Sequence, residues 1–293
     1  MEASVRSVNI VGCGRLGQTL GRLFAAQGGF VIQDIVTSSI DSARQAVGFI
    51  GAGVPCVLLT EVRPADVVLI ATPDAAISET AMQLARLSGI KRDCVAFHCS
   101  GMLRADVLAP LRSLGAHIAS IHPVKSFSTP EKAAATFAGT FCGVEGEVAG
   151  VKAVTEYFQS FGARVFAVRD DSKELYHSAF VFACNYLTAL MECALECCSA
   201  AGINRSEAAE IIGPLVRETT EAVLSQGVDS ALTGPVVRGD AELVTQQLSC
   251  LQQWRPDYAQ LYRLLGQVAL QIATRGGLVN GATRDKVELA LKN

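Results

Sequence analysis

The stretch Val8-Asn9-Ile10-Val11-Gly12-Cys13-Gly14-Arg15-Leu16-Gly17 decides how this chain is read. A short apolar run that suits a strand leads into three glycines spaced G-x-G-x-x-G, and Leu16, Leu20, Leu23 and Phe24 then recur at helical spacing. In such a strand-turn-helix Gly12 permits the tight turn, Gly14 lets backbone approach a pyrophosphate, and Gly17 lets the helix pack close on the strand. The amides near Arg15 and Leu16 point from the helix N-terminus at phosphate. The reading is a dinucleotide-binding βα unit at the first strand of a parallel sheet.

The rest of the first half repeats the alternation. Strands are expected at Ser7 to Gly12, Phe30 to Thr37, Asp66 to Ala71, Cys94 to His98, His117 to Ile121, Thr140 to Val144 and Arg164 to Val168, with a weaker one at Cys56 to Leu59. After Val168 no strand pattern remains. The composition predicts long helices: Ser172 to Ala201, Ser206 to Ser225 with Gly213-Pro214 inside it, Ala241 to Gln252 capped by Asp240, Pro256 to Thr274, and a short one from Arg284. The expected fold class is therefore α/β, a mostly parallel sheet over residues 1–168 followed by an all-helical domain over residues 169–293.

Cofactor choice turns on the end of the second strand, where an acidic residue about 20 positions past the fingerprint would bind a ribose hydroxyl and repel a 2′-phosphate. Thr37, Ser38 and Ser39 stand there, small hydroxyl donors that suit a phosphate, with Arg44 on the following helix. NADP is expected over NAD. Asp34 would be the discriminator only if the strand ended three residues earlier. Ala71, Thr72 and Pro73 close the strand over Asp66 to Ala71 and should line the cofactor, Asp74 reading as a helix cap. His98, Ser100 and His122 end the next two strands on the same rim, where a substrate would lie.

A candidate acid/base pair opens the first long helix. Ser172 reads as its cap, so Lys173 sits in the first turn, where the dipole disfavours a cation, and His177 lies one turn on along the same face. Hydride exchange between a nicotinamide and a carbonyl or imine needs a proton partner on the substrate heteroatom, which either residue can supply. Asn185, an amide in an apolar run, is expected to be buried and either to hold substrate or to tie two helices.

These motifs, with Leu232-Thr-Gly-Pro235 and Arg238-Gly-Asp240, resemble a family of NADP-dependent oxidoreductases that join a Rossmann-like domain to a helical domain of uncharacterised type. More distantly the layout is similar to the β-hydroxyacid dehydrogenases, including ketopantoate reductase and pyrroline-5-carboxylate reductase, whose helical domain is of the 6-phosphogluconate dehydrogenase C-terminal type. The resemblance implies a catalytic lysine at Lys173 and a homodimer formed through the helical domain. It departs at His177, where those dehydrogenases carry asparagine, and in the glycine-rich segment before the lysine, replaced here by Arg169-Asp170-Asp171.

Composition excludes other classes. Half of the 293 residues are apolar and 18% are charged, too apolar for a disordered chain. Net charge is −3, with 14 basic against 13 acidic residues up to Val168 and 11 against 15 beyond it, so no basic face suits nucleic acid. The ten cysteines are irregularly spaced without a C-x-x-C, which argues for reduced thiols and no metal. No export signal is read at the N-terminus, and Ser178 to Met191, interrupted by Asn185, is short for a membrane span, so a cytoplasmic protein is expected. The leading expectation is an NADP-dependent reductase or dehydrogenase of a small molecule bound between the two domains. An imine reductase is the nearest variant, and a cofactor-binding sensor or scaffold without turnover is the rival.

Overall fold

The computed structural model describes residues 5–87 and 90–292. Eight strands, β1 (Arg6–Val11), β2 (Phe30–Val36), β3 (Val54–Cys56), β4 (Val67–Ile70), β5 (Val95–His98), β6 (His117–Pro123), β7 (Phe141–Gly146) and β8 (Arg164–Ala167), form one sheet in the order β3-β2-β1-β4-β5-β6-β7-β8. All neighbours pair in parallel except β6 with β7. Each strand expected from the sequence is present, displaced by at most a few residues. The weak one shifts to Val54–Cys56.

Side-chain alternation explains why the sheet is covered on both faces. Val8, Ile10, Val67, Leu69, Val95 and Phe97 enter one core, which α1 (Arg15–Ala25) and α2 (Ile40–Ile50) fill with Leu20, Phe24, Ala46 and Ile50. Val11, Val68, Ile70 and Ala96 enter the opposite core against Ile77, Ala81 and Leu84 of α3 (Asp74–Arg86) and Leu111 of α4 (Ala109–Arg112). Period two buried on both sides is the mark of a parallel sheet sandwiched by helices. α5 (Pro130–Ala135) precedes β7, and α6 (Val148–Ser160) adds Val154 and Phe158 to the first core. At about 25 cal/mol per Å², each such buried Leu, Ile or Phe contributes on the order of 2 kcal/mol.

Beyond β8 every element is helical: α7 (Lys173–Phe180), a π-helical segment over Val181–Tyr186, α8 (Leu187–Ala200), α9 (Arg205–Gln226), α10 (Val228–Ala231), α11 (Ala241–Trp254), α12 (Pro256–Arg275) and α13 (Gly281–Lys292). Asp240 caps α11 as expected, accepting from the Leu243 amide at 3.1 Å, and Pro214 lies inside α9. Two compact units result, Met1–Ala183 and Cys184–Asn293. The sheet unit thus runs 15 residues past the composition change at Val168 and keeps Lys173 and His177 with the strands. The second unit has its own core of Val244, Leu248, Ala259, Leu270, Val287 and Leu291 from α11, α12 and α13.

Two expectations for the first long helix fail. Asn185 is exposed, inside the π-helical segment, rather than buried. The run from Asp170 to Ala200 is one continuous helical stretch of 31 residues holding an 18-residue window of mean hydropathy 1.4, long and apolar enough to cross a membrane by length and composition, and that window is not buried. An apolar run signals that something must cover it; spacing alone does not say that the same chain does.

Candidate active site

The fingerprint forms the turn between β1 and α1. Its three glycines separate by what a side chain would meet. A Cβ on Gly12, whose φ is +82°, would lie 2.5 Å from the Thr72 amide nitrogen, and one on Gly17 would lie 2.6 Å from the Gly12 carbonyl oxygen. Both are glycines because the protein's own backbone fills the space. A Cβ on Gly14 would meet nothing within 4 Å. Gly14 is also the residue before α1, which has no side-chain cap, so the first-turn amides face outward without an intrahelical partner.

In front of this turn lies a groove of about 570 Å³ lined by Gly12, Gly14, Arg15, Leu16, Thr37, Ser38, Ser42, Gln45, Ala71, Thr72 and Pro73 among others. It sits outside the carboxyl ends of β1 and β4, where the strand order reverses, the position at which open α/β sheets take ligands. The Thr72 hydroxyl is buried there without a hydrogen-bond partner among the described residues. Open space before Gly14, uncapped amides and an orphaned hydroxyl fit a dinucleotide.

β2 ends at Val36, so Thr37 and Ser38 reach the groove. Ser39 does not line it: its hydroxyl caps α2 by accepting from the Ser42 amide at 3.3 Å. Asp34 is 1% exposed and is gripped by the Arg63 guanidinium and amide, with Oδ1 2.5 Å from Nη2 and Oδ2 2.8 Å from the amide nitrogen. That carboxylate is committed to the sheet and leaves the strand end to hydroxyls.

Along the same rim a second cluster forms around residues 98–104. Asp74 opens α3 without capping it and instead accepts from the Ser100 hydroxyl at 2.6 Å. The Ser100 oxygen in turn accepts from the Met102 and Leu103 amides, at 3.2 and 2.9 Å. His98 is fully buried, taking the Ser100 amide on Nδ1 at 3.2 Å and giving Nε2–H to the Arg104 carbonyl at 3.1 Å. These partners assign its tautomer, and burial, reinforced by the Lys173 charge, pushes its pKa down to about 4. His98 and Ser100 therefore shape the loop from beneath.

Lys173 is 1% exposed. Its ammonium donates to the Ser100 carbonyl at 2.9 Å, the Leu103 carbonyl at 2.5 Å and the Ser120 hydroxyl, with Glu145 Oε1 at 3.4 Å. Glu145, also buried, accepts from the Ala105 amide at 2.8 Å. Burial pulls the Lys173 pKa down against the Glu145 charge and raises that of Glu145. All three ammonium donors are consumed inside the protein, so Lys173 and His177 do not converge on one point as the helical spacing suggested.

His177 goes elsewhere. It is half-buried over Gly101, where a Cβ would come within 2.6 Å of its Cδ2 and 2.9 Å of His122 Nε2. The two imidazoles lie 6.2 Å apart between centroids, and His122 Nδ1 is 3.0 Å from the Tyr176 hydroxyl. Glu145, Ser120 and Tyr176 are neighbours of the candidate site that sequence reasoning missed. Glu145 did carry a signal, as an acidic residue in an otherwise apolar strand.

Burial of His98 has a measurable consequence. Its folded pKa lies below its unfolded value, so between pH 6.5 and 4 the unfolded state binds a proton that the fold refuses. The His98 contribution to stability should be complete above pH 6.5, fall by up to about 3 kcal/mol on acidification and level off below pH 4. Urea unfolding at pH 7 and pH 4.5 should show a shallower pH dependence in His98→Gln than in the natural protein. Equal slopes would mean that His98 titrates normally.

Residues 1–123 match the model of a Rossmann-like domain, and residues 140–269 match that of a domain of unknown function, DUF2520. The chain joins a Rossmann-like domain to a DUF2520 domain. The DUF2520 match begins at β7, so that family's segment includes β7 and β8 and carries Glu145, Lys173, Tyr176 and His177 along with the helices. Among solved structures, protein TM1727 of Thermotoga maritima is 26% identical, with a TM-score of 0.72 over 92% of this chain and 98% of its own. A candidate NADP oxidoreductase, BF3122 of Bacteroides fragilis, is 21% identical, with a TM-score of 0.69 over 90% of this chain and 98% of its own. An imine reductase of Myxococcus stipitatus, solved with NADP+, shares the fold at 14% identity and a TM-score of 0.65, over 98% and 100% of the two chains. No curated protein matches the sequence.

Proposed function

We propose that the protein is an NADP(H)-dependent oxidoreductase of a small carbonyl, hydroxy or imine compound. The observation that carries the proposal is the division of labour within the fingerprint: Gly12 and Gly17 are explained by packing, and Gly14 is left facing an open groove with uncapped amides. The structural likeness to nicotinamide-dependent reductases supports it. A nicotinamide dinucleotide bound there would supply or accept the hydride. Backbone at Ala71 to Pro73 orients it, and the bond from Asp74 to Ser100 ties that strand end to the loop bearing Gly101. His177, the half-buried imidazole over Gly101, exchanges the proton with the substrate heteroatom. Lys173 keeps the loop in place through two of its carbonyls.

NADP is preferred in this reading because Thr37 and Ser38 line the groove while Asp34 is held by Arg63. Paired titrations with NADPH and NADH are expected to show at least about tenfold tighter NADPH binding, or 1.4 kcal/mol. Tighter NADH would overturn the preference, and binding of neither would overturn the oxidoreductase reading. Burial of Lys173 favours one alternative, a sensor that binds NADP(H) without turnover. That alternative predicts NADPH binding with no oxidation by ketones, keto acids or cyclic imines.

In the helical unit Leu187, Ile211, Leu215, Leu224, Leu264 and Val268 are exposed, and a homodimer through these helices would cover such side chains. A dimer suits the Asp170–Ala200 helix better than a bilayer does. It carries the buried Lys173 in its first turn and, within its second half, the carboxylates of Glu192 and Glu196, paired with Arg205 and Arg255. Sedimentation of the titrated sample in detergent-free buffer would report a dimer, and a monomer would remove this part of the proposal.

A further inference from the structure

We infer that Tyr176 is a positioning residue that fixes the tautomer of His122, so that the imidazole presents an Nε2–H donor beside Gly101 to the oxygen or nitrogen of a bound substrate. The inference rests on the oxidoreductase reading for the identity of that acceptor; the tautomer itself stands on geometry. Tyr176 Oη lies 3.0 Å from His122 Nδ1 and makes no other hydrogen bond among the described residues, so a phenolic proton kept within the protein has Nδ1 as its acceptor. A neutral imidazole carries one N–H and one bare nitrogen. Occupying Nδ1 with a donor leaves the N–H on Nε2.

The phenol is well held. Its hydroxyl fits against Gly143, where a Cβ would lie 2.6 Å from it, and its ring packs edge-on against Phe180 at 4.9 Å and near Phe166 at 6.1 Å. Burial raises its pKa to about 12, so it stays an O–H. His122 stays neutral as well, its pKa lowered to about 4 by burial and then by the charges of Lys173 and His177, against an opposing pull from Asp74. His122 Nε2 makes no hydrogen bond among the described residues, and it comes so close to Gly101 that a Cβ there would lie 2.9 Å from it. Such an imidazole polarises a carbonyl or imine by hydrogen bonding without giving up its proton, which leaves proton exchange to His177.

Nitrogen-15 histidine spectra test this directly. The chain has four histidines, and His122→Asn assigns the signal. The natural protein should show His122 as a single Nε2–H tautomer, unprotonated from pH 7 to 5. In Tyr176→Phe a resolved Nδ1–H population should appear while the His98 signal is unchanged, and kcat should fall roughly tenfold with NADPH affinity held, the loss expected for one hydrogen bond. Gly143→Ala, which displaces the hydroxyl, should give the same spectrum and guards against a folding defect in the first variant. An Nδ1–H tautomer in the natural protein, or a pure Nε2–H tautomer in both variants, would overturn the inference. The spectra need no cofactor, so failure of NADPH binding would count against the proposed function separately.

Discussion

Lys173→Ala is expected to destabilise the protein by about 3 to 5 kcal/mol, a large share of what holds a domain together. The cost comes from what is left behind. Glu145 keeps a buried charge with no cation, and the Ser100 and Leu103 carbonyls and the Ser120 hydroxyl lose their donor at once. Lys173→Met combined with Glu145→Leu should recover the part of the loss that the unpaired Glu145 charge causes, while the Leu103 carbonyl and the Ala105 amide are without these partners in that variant too. Urea unfolding of the three proteins measures this. If Lys173→Ala kept full stability and lost only turnover, the ammonium would belong to the chemistry and the bracing role would be wrong.

Gly14→Ala is expected to weaken NADPH binding by about a hundredfold or more, roughly 2.7 kcal/mol, with the melting temperature unchanged. The backbone at Gly14, φ −71° and ψ −161°, is open to any residue, and the added methyl would meet no protein atom. Its effect can fall only on a ligand that approaches that backbone. Gly12→Ala is the contrasting control: a Cβ 2.5 Å from Thr72 at φ +82° should cost about 2 to 4 kcal/mol of stability whether or not a ligand binds. Unchanged NADPH affinity in Gly14→Ala would reduce the motif to a turn.

Much of the frame was legible because its signals are local. Strand alternation at Val8 to Val11 and Val67 to Ile70, helical spacing at Leu16 to Phe24 and the cap at Asp240 depend on neighbours a few residues away. The placement of Thr37 and Ser38 at the groove followed from Ile35 and Val36 extending β2. Asp74, Ser39 and Asn185 were harder. Each has a polar group equally at home capping a helix, meeting a distant partner or facing solvent: Asp74 takes a partner far along the chain at Ser100, Ser39 caps its own helix and Asn185 faces solvent.

The pair Lys173 and His177 shows where local reading ends. Local pattern was enough to start both on one helix, one turn apart, and to put a parallel sheet with a glycine-rich turn before them, since hydrophobic period and glycine spacing are properties of short segments. That Lys173 turns inward to Glu145, 28 residues earlier on β7, while His177 stays at the rim beside His122 and Gly101, emerges only once the sheet is assembled. The physical reason is that burial and charge pairing are set by which strands the sheet brings together, and the antiparallel pairing of β7 with β6, which places Glu145 opposite Ser120, is written in no local pattern.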